Sequence, residues 1–216
     1  MQENSEVELK LQVTDETVWE ALIHKLKTMP EASGYERILL AANYFDTVDG
    51  LLHKARLAYR VRKENHQWVA TIKGGGCVVD GLHKRMEWNI KVENGEANLA
   101  VFNQTAVDQN IIKQLENEQL IPLVQTDFVR ELVILTIGDD KIEVAMDKGV
   151  ITGNKNEIPI LEIELELKAG KEEILREFGE QLIKEFSLTL SNKSKFSRGL
   201  ELCKDKRKRC TKCNVS

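Results

Sequence analysis

The stretch "SEVELKLQV" at residues 5–13 alternates charged and apolar side chains at every second position. Glu6, Glu8 and Lys10 therefore share one face of the segment, and the apolar residues between them share the other. A period of two is typical of a β-strand, so this stretch predicts a strand with one charged face. The fold depends on whether that face contacts bulk solvent or lines an enclosed site.

Other predicted strands carry charges with the same alternation. For any one of them a solvated sheet face is the simplest explanation. Solvated faces, however, tend to mix signs so that cross-strand neighbours pair, whereas these strands carry runs of like charge. The residues concerned are Arg56, Arg60 and Arg62; Thr71 and Lys73; His83, Arg85 and Glu87; Arg130; Glu143 and Asp147; and Glu162, Glu164 and Glu166.

The strand pattern predicts an α+β domain. Amphipathic patterns at 14–29 and 171–186 predict two helices, and residues 96–120 predict short helices over the sheet. Eight antiparallel strands can close into a barrel, which removes both sheet edges. We therefore predict an eight-stranded closed antiparallel β-barrel with charges inside and helices packed outside. The predicted strands are 5–13, 37–46, 54–63, 67–74, 82–92, 127–137, 141–150 and 158–168.

A lumen of this kind has a recognisable chemistry. Arginine and lysine side chains bind phosphate oxygens, and Arg does so through a planar fork. Rows of carboxylates supply the hard oxygen ligands that Mg²⁺ or Mn²⁺ prefers. The combination predicts a site for a small molecule that carries several phosphates together with a divalent cation.

Composition excludes several other classes of protein. The chain has 216 residues, and no apolar run approaches the roughly 20 residues of a membrane span. The start "MQENSE" is not a signal peptide, and three of the four cysteines lie in the last 14 residues, so we expect a cytoplasmic protein. We predict one domain over 1–203 and a disordered, basic, Cys-containing tail over 204–216. Apart from that tail the chain is acidic, which argues against nucleic-acid binding.

Several motifs, taken in order, resemble the CYTH superfamily, the triphosphate tunnel metalloenzymes. The resemblance covers about residues 4–202, and "DGLHKRMEWN" at 80–89 is most similar to the bacterial inorganic triphosphatases. One motif alone would be weak evidence, but a full set in family order is specific. The other motifs are "EVELK" at 6–10, "NYFDT" at 43–47, "LAYRVRKE" at 57–64, "TIKG" at 71–74, "FVRE" at 128–131, "LEIELEL" at 161–167 and "SKFSRG" at 194–199.

The resemblance implies a tunnel that hydrolyses the terminal phosphoanhydride of inorganic triphosphate with Mg²⁺ or Mn²⁺, in a monomer or homodimer. Phosphoryl transfer needs mainly positioning and charge stabilisation, so no protein nucleophile is expected. Glu6, Glu8, Glu87 and Asp147 are the expected catalytic residues. The implied substrate-binding residues are Lys10, Arg60, Arg62, Lys73, Arg85, Arg130, Lys195 and Arg198, and the implied metal ligands are Glu6, Glu8, Glu162, Glu164, Glu166 and Asp147.

Some alternatives stay open at this point. Thiamine-triphosphatase, nucleoside triphosphatase and adenylyl cyclase activities belong to the same family, and a non-catalytic polyphosphate-binding module would use the same basic lining. His83 could contact phosphate or could have a structural role. The glycines of "KGGGC" at 73–77 lack phosphate-loop spacing and predict a flexible loop at the tunnel mouth.

Overall fold

A computed structural model describes residues 5–204 of the chain. Within that range, nine strands form one antiparallel sheet: β1 (Ser5–Gln12), β2 (Ala32–Thr47), β3 (Leu57–Glu64), β4 (Gln67–Val79), β5 (Leu82–Val92), β6 (Leu120–Ile137), β7 (Asp140–Gly153), β8 (Asn156–Ala169) and β9 (Thr189–Leu190). The α-helices are α1 (Trp19–Thr28), α2 (Leu51–Lys54), α3 (Gln109–Leu115), α4 (Glu172–Phe186) and α5 (Lys195–Lys204). Glu16–Val18 and Leu99–Phe102 form 3-10 helices.

The first strand closes the sheet into a barrel. The sheet runs in the order β5-β4-β3-β2-β6-β7-β8-β1, and β1 pairs with β5 as well as with β8. The short strand β9 continues the pairing along β1. The predicted eight-stranded closed antiparallel barrel is therefore confirmed.

The charged face of β1 points into the barrel. Glu8 lies opposite Glu166 of β8 and opposite His83 of β5, and it is buried. Leu9 and Leu11 point outward into an apolar core beneath α1 and α4. Gly179 of α4 lies so close to β1 that an added Cβ would sit 2.3 Å from the Leu9 side chain. The predicted helices at 14–29 and 171–186 do pack on the outside of the barrel.

A second outer core covers the opposite wall. Tyr59 and Ile72, from β3 and β4, pack against Phe102 of a 3-10 helix and Ile112 of α3. The rings of Tyr59 and Phe102 meet edge to face with centroids 6.0 Å apart. Residues 96–120 therefore form the short helices that the sequence predicts, and their apolar residues cover this wall.

Helix α5 crosses one end of the barrel and was not predicted. Phe196 stacks on Tyr44 of β2 with ring centroids 4.9 Å apart. Gly199 packs on the neighbouring strands of the same wall, where an added Cβ would sit 2.2 Å from Val124 of β6, the register partner of Tyr44, and 3.1 Å from Ile151 of β7. The helix thus packs against β2, β6 and β7 at one end of the barrel; we call this side the deep end and the side where β1 begins the mouth.

Several strand boundaries differ from the predictions; β3, for example, begins at Leu57 instead of residue 54, and β7 ends at Gly153 instead of residue 150. Strands β2 and β6 pair with each other well beyond the predicted ranges, as far as Ala32 opposite Leu135. The "KGGGC" stretch lies within β4, with a bulge between Gly74 and Gly76, so its interpretation as a flexible loop is wrong. An added Cβ at Gly76 would lie 1.9 Å from the Lys84 carbonyl oxygen, which explains the glycine by close strand approach.

Two further expectations concern the chain ends and membranes. The predicted basic tail over 204–216 lies outside the described residues except for Lys204, the last residue of α5. Within residues 5–204, none of the helices combines the length and apolar character that crossing a bilayer requires.

Candidate active site

The barrel encloses a cavity of about 610 Å³ whose wall carries eight cationic and six carboxylate side chains. Most of the predicted site residues lie on it. Asp147, Glu162 and Arg198 do not line it and lie beside its deep end instead. The predicted residues that line the cavity are Glu6, Glu8, Lys10, Arg60, Arg62, Lys73, Arg85, Glu87, Arg130, Glu164, Glu166 and Lys195.

Two arginines of β3 enter the cavity because they are two positions apart on the strand. Arg60 has a terminal nitrogen 3.7 Å from Glu87, and its buried Nε has no partner among the residues described. Arg62 donates from Nε to Glu64 at 2.9 Å. Burial, and then the nearby charges of Arg60 and Arg130, lower the pKa of Arg62 to about 10. Arg60 and Arg62 each have one carboxylate partner, so positive charge is in excess where they lie close together. This excess favours the binding of an anionic ligand.

The carboxylates nearest the mouth share one lysine. The Lys73 ammonium lies 2.7 Å from Glu6 and 2.6 Å from Glu87. Burial raises the pKa of Glu6 to about 7, with Lys73 opposing and the carboxylates of Glu8 and Glu87 adding to the rise. The pKa of Glu87 is lowered by Lys73 and Arg60 despite its burial, so Glu6 is the member of this pair that takes up a proton.

Glu8 is the central carboxylate of the cavity. It accepts from Lys10 at 2.8 Å and from Arg85 at 2.8 Å, and its side chain is only 3% exposed. Burial alone would raise its pKa, but the charges of Lys10 and other cations outweigh that effect and lower the pKa to about 2. Glu166, opposite Glu8 on β8, is held by Lys168 at 2.8 Å, and burial raises its pKa. Glu8 thus stays ionised although its side chain is almost fully buried.

The deep end contains three carboxylates around one lysine. Lys195 of α5 places its Nζ 2.6 Å from Asp147, 2.5 Å from Glu162 and 3.0 Å from Glu164. The three acids offer oxygens that lie within 4.8 Å of one another. Such a group could hold a metal ion by geometry, but the Lys195 ammonium already contacts every member.

Two arginines complete the deep end. Arg130 donates from Nε and Nη2 to the two oxygens of Asp147 at 2.7 Å each, and from Nη2 to Glu164 at 2.6 Å. Arg198 donates to Glu162 at 2.7 Å. Because Lys10 also contacts Glu164, four cations contact these three carboxylates.

The six predicted metal ligands divide into two sets. Glu6, Glu8 and Glu166 line the cavity, and their oxygens are the hard donors that Mg²⁺ or Mn²⁺ prefers. Several cations that hold them, such as Lys73 and Lys168, are themselves partly exposed to the cavity and can move towards a ligand. Among the described residues, only the deep set of Asp147, Glu162 and Glu164 offers carboxylate oxygens that all lie within 4.8 Å of one another, and Lys195 contacts each of these acids.

The sequence prediction missed some cavity residues and left one assignment open. Glu143, which the sequence placed on a charged strand face without a role, lines the cavity, and so does Lys168, whose alternation with Glu166 could have identified it. Tyr44 also lines it, and only the motif "NYFDT" pointed to its segment. His83 is buried and does not line the cavity, and its Nε2 lies 3.0 Å from the Ser191 carbonyl oxygen.

Comparison with known proteins identifies a family. The family model described as "CYTH domain" matches residues 4–200. The inorganic triphosphatase of Haemophilus influenzae is 34% identical over 195 residues, which are 90% of this chain and 54% of that protein. The chain therefore spans about half the length of this curated relative.

Solved structures share the fold. A Hippeastrum protein, described as an adenylyl cyclase with a dominant triphosphatase activity, has a TM-score of 0.68 and 16% identity; the match covers 92% of this chain and 96% of that one. A Pyrococcus horikoshii protein has a TM-score of 0.57 and 18% identity over 91% of this chain and 99% of that one. With the family match extending over nearly all of the barrel, this chain belongs to the CYTH domain family.

Proposed function

We propose that this protein hydrolyses the terminal phosphoanhydride of inorganic triphosphate and releases pyrophosphate and phosphate. The observation that carries the proposal is the enclosed cavity, whose wall presents eight cations and six carboxylates. A site that only binds polyphosphate would need the cations but not the carboxylates. The relative from Haemophilus influenzae, named an inorganic triphosphatase, supports the same activity.

In this mechanism the cations near the mouth and centre hold the substrate. Arg60, Arg62 and Arg85 present planar guanidinium forks to the non-bridging oxygens, and Lys10 and Lys73 add point charges. Arg60 and Arg85 each have a buried Nε without a partner among the described residues, which leaves donors for an incoming anion. Arg130, Lys195 and Arg198, predicted to bind substrate, would act mainly through the charge that they add at the deep end.

The carboxylates near the mouth would hold Mg²⁺ or Mn²⁺. Glu6, Glu8 and Glu166 are the proposed ligands because they line the cavity and offer hard oxygen donors. The ion would supply Lewis-acid stabilisation of the charge that develops on the transferred phosphoryl group. The low pKa of Glu8 keeps this ligand ionised throughout the neutral range.

Glu87 is the carboxylate proposed to orient the attacking water. It lines the cavity, and Lys73 and Arg60 keep its pKa below the usual range, so it accepts a hydrogen bond from water in its ionised form. Asp147, the other predicted residue for this role, is fully buried and already bound by Arg130 and Lys195. Positioning and charge stabilisation account for the rest of the catalysis.

The proposed setting follows from the composition. We expect a cytoplasmic enzyme that acts as a monomer or homodimer on a small triphosphate, without nucleic acid or membrane partners. A triphosphate that carries an organic group, such as thiamine triphosphate or ATP, is the alternative substrate.

The test is a comparison of three substrates. Tripolyphosphate, thiamine triphosphate and ATP are offered to the full chain with Mg²⁺ and with Mn²⁺, and kcat/KM is measured for each. The proposal expects tripolyphosphate to be preferred and pyrophosphate and phosphate to be the products. A clear preference for ATP with release of a cyclic nucleotide, or the absence of turnover by the folded protein, would contradict it.

A further inference from the structure

The segment that leads into α5 is fixed to two other parts of the barrel by hydrogen bonds. Ser191 donates its backbone N–H to the Lys10 carbonyl of β1 at 2.9 Å, and its own carbonyl oxygen lies 3.0 Å from Nε2 of His83. Asn192 accepts from the backbone N–H of Gly81 at 2.7 Å. Gly81 in turn accepts from the backbone N–H of Lys10 at 2.9 Å. The segment is therefore held by β1 and by the turn between β4 and β5 at the same time.

The turn between β4 and β5 has the tight geometry that these contacts require. Val79 and Leu82 are paired, so the turn contains two residues. Both of them, Asp80 and Gly81, have positive φ angles, of 48° and 76°, as a type I′ hairpin requires. An added Cβ at Gly81 would lie 2.8 Å from the Leu190 side chain of β9. The turn thus packs directly against the strand that precedes the segment.

His83 reaches the segment from β5. A carbonyl oxygen only accepts, so the hydrogen of the contact with Ser191 lies on His83 Nε2. The other ring nitrogen, Nδ1, is buried and has no hydrogen-bond partner among the described residues. The side chain is 1% exposed. Within the described part of the chain, the hydrogen bond of this ring is therefore the one that it makes with Ser191.

The segment leads directly to a cationic side chain of the cavity wall. Ser194 accepts the backbone N–H of Ser197 at its Oγ at 3.1 Å, and Lys195 begins α5 immediately after it. Lys195 and Lys10 both line the cavity. Because the hydrogen bonds that hold the segment also use the backbone of Lys10, they connect the main chains near two cations that lie on different elements.

We propose that His83 and Asn192 are positioning residues, which hold the segment before α5 against β1 and so fix where Lys195 enters the cavity relative to Lys10. Neither His83 nor Asn192 lines the cavity, so both act through Lys195. For the proposed triphosphatase function, on which this part of the inference rests, the loss of either anchor weakens the binding of tripolyphosphate, because one cation of the wall no longer keeps its position.

Two variants at His83 test the anchor itself. Glutamine can place an amide N–H near the position of Nε2, whereas asparagine is shorter and reaches only the position of the unpartnered Nδ1. Hydrogen exchange of the backbone amides in residues 189–199 is measured by mass spectrometry without ligand. We expect faster exchange in this segment for His83→Asn and exchange close to that of the parent chain for His83→Gln. Equal exchange in these two variants would overturn the inference.

Asn192 provides a second pair of variants, and its exposed position makes their folding independent of the barrel core. Asn192→Asp keeps the acceptor oxygen for Gly81, and Asn192→Ala removes it. Asn94→Ala is the matched control, because Asn94 is also exposed and accepts from a backbone N–H, that of Glu96, at 3.0 Å. Of these three, only Asn192→Ala should show faster exchange in residues 189–199. Unchanged exchange in Asn192→Ala would overturn the role of this residue.

Binding of tripolyphosphate separates a positioning role from a merely structural one. The Kd is measured by calorimetry in EDTA, so that only the cations of the protein hold the ligand. We expect Kd to rise about fivefold in His83→Asn and in Asn192→Ala, and to keep the parent value in His83→Gln, Asn192→Asp and Asn94→Ala. Faster exchange with an unchanged Kd would overturn the positioning role. A parent chain that binds no tripolyphosphate would contradict the proposed function, whereas the exchange comparison decides the anchor in either case.

Discussion

The two halves of the barrel interior contain the same residue types in different arrangements. At the deep end, Asp147, Glu162 and Lys195 are almost fully buried and satisfy one another. Near the mouth, Glu6 and Lys73 are paired but face the cavity, where a ligand can take either partner. The comparison teaches that a charged lumen is not uniformly a binding site. We expect the charges that pair with one another beside the deep end to contribute mainly to stability, and the charges that line the cavity near the mouth to contribute to chemistry.

Removing the central ammonium of the deep end should have the largest effect on stability. Lys195→Met removes the ammonium that contacts Asp147, Glu162 and Glu164 together, and breaking such a buried group costs about 3 kcal/mol. Urea unfolding should show a free energy of unfolding lower by that amount. Lys193→Met, which alters an exposed pair, is the control and should unfold like the parent protein. If Lys195→Met and Lys193→Met had equal free energies of unfolding, the ion pairs at the deep end would not have the structural role that separates them from those near the mouth.

Glu8→Gln should have the largest effect on catalysis. The change keeps the shape of the side chain but removes the charge of a proposed metal ligand, so kcat for tripolyphosphate should fall about a hundredfold. Steady-state kinetics at limiting metal concentration provide the measurement. Glu131→Gln on the outer surface is the matched control. A near-normal kcat for Glu8→Gln at low metal would show that this carboxylate is structural, like those at the deep end.

Arg60→Ala should impair substrate binding more than the chemical step. It removes a guanidinium that has a buried nitrogen free for an anion, so KM for tripolyphosphate should rise about tenfold, along with any loss of kcat. Arg176→Ala on α4 removes an arginine whose partner, Glu172, is four residues away on the outer face of the same helix, and it should leave KM unchanged. An unchanged KM for Arg60→Ala would exclude Arg60 from the phosphate site.

The smallest effect is expected outside the barrel. Glu131 accepts from Lys27 at 2.8 Å at the surface, and such pairs contribute about 0.5 kcal/mol or less. Glu131→Gln should therefore leave the free energy of unfolding and the kinetic constants nearly unchanged. A loss of stability comparable with that of Lys195→Met would show that exposure does not separate structural from incidental charge pairs in this protein.

The sequence predicts the barrel well because strand alternation directly fixes which side chains share a face. Glu8 and Leu9 were assigned to opposite faces from their positions alone, and both assignments hold. The closure of the barrel followed from the number of strands and from the family motifs, whereas the pairing of β1 with both β5 and β8 is seen only in the structure. Local patterns sufficed for these features because they reflect a two-residue period.

The pairing of charges could not be predicted in the same way. Alternation places Glu162 and Glu166 on one face of β8. Only the position of α5 places Lys195 beside Glu162, whereas Glu166 lies nearer the mouth and pairs with Lys168. The short motif "SKFSRG" has no clear helical pattern, so the helix itself was missed. Its residues are brought to the lumen by tertiary contacts, such as that between Phe196 and Tyr44.

The most direct test of the proposed active site is phosphate release from tripolyphosphate by the unmodified full chain. Turnover is measured with Mg²⁺ or Mn²⁺, then with excess EDTA, and again after the metal is restored. Since the proposed ligands near the mouth are all carboxylates, we expect hydrolysis with metal, none with chelator, and full recovery on adding the metal back. Undiminished hydrolysis by protein verified to be metal-free would contradict the proposed role of Glu6, Glu8 and Glu166.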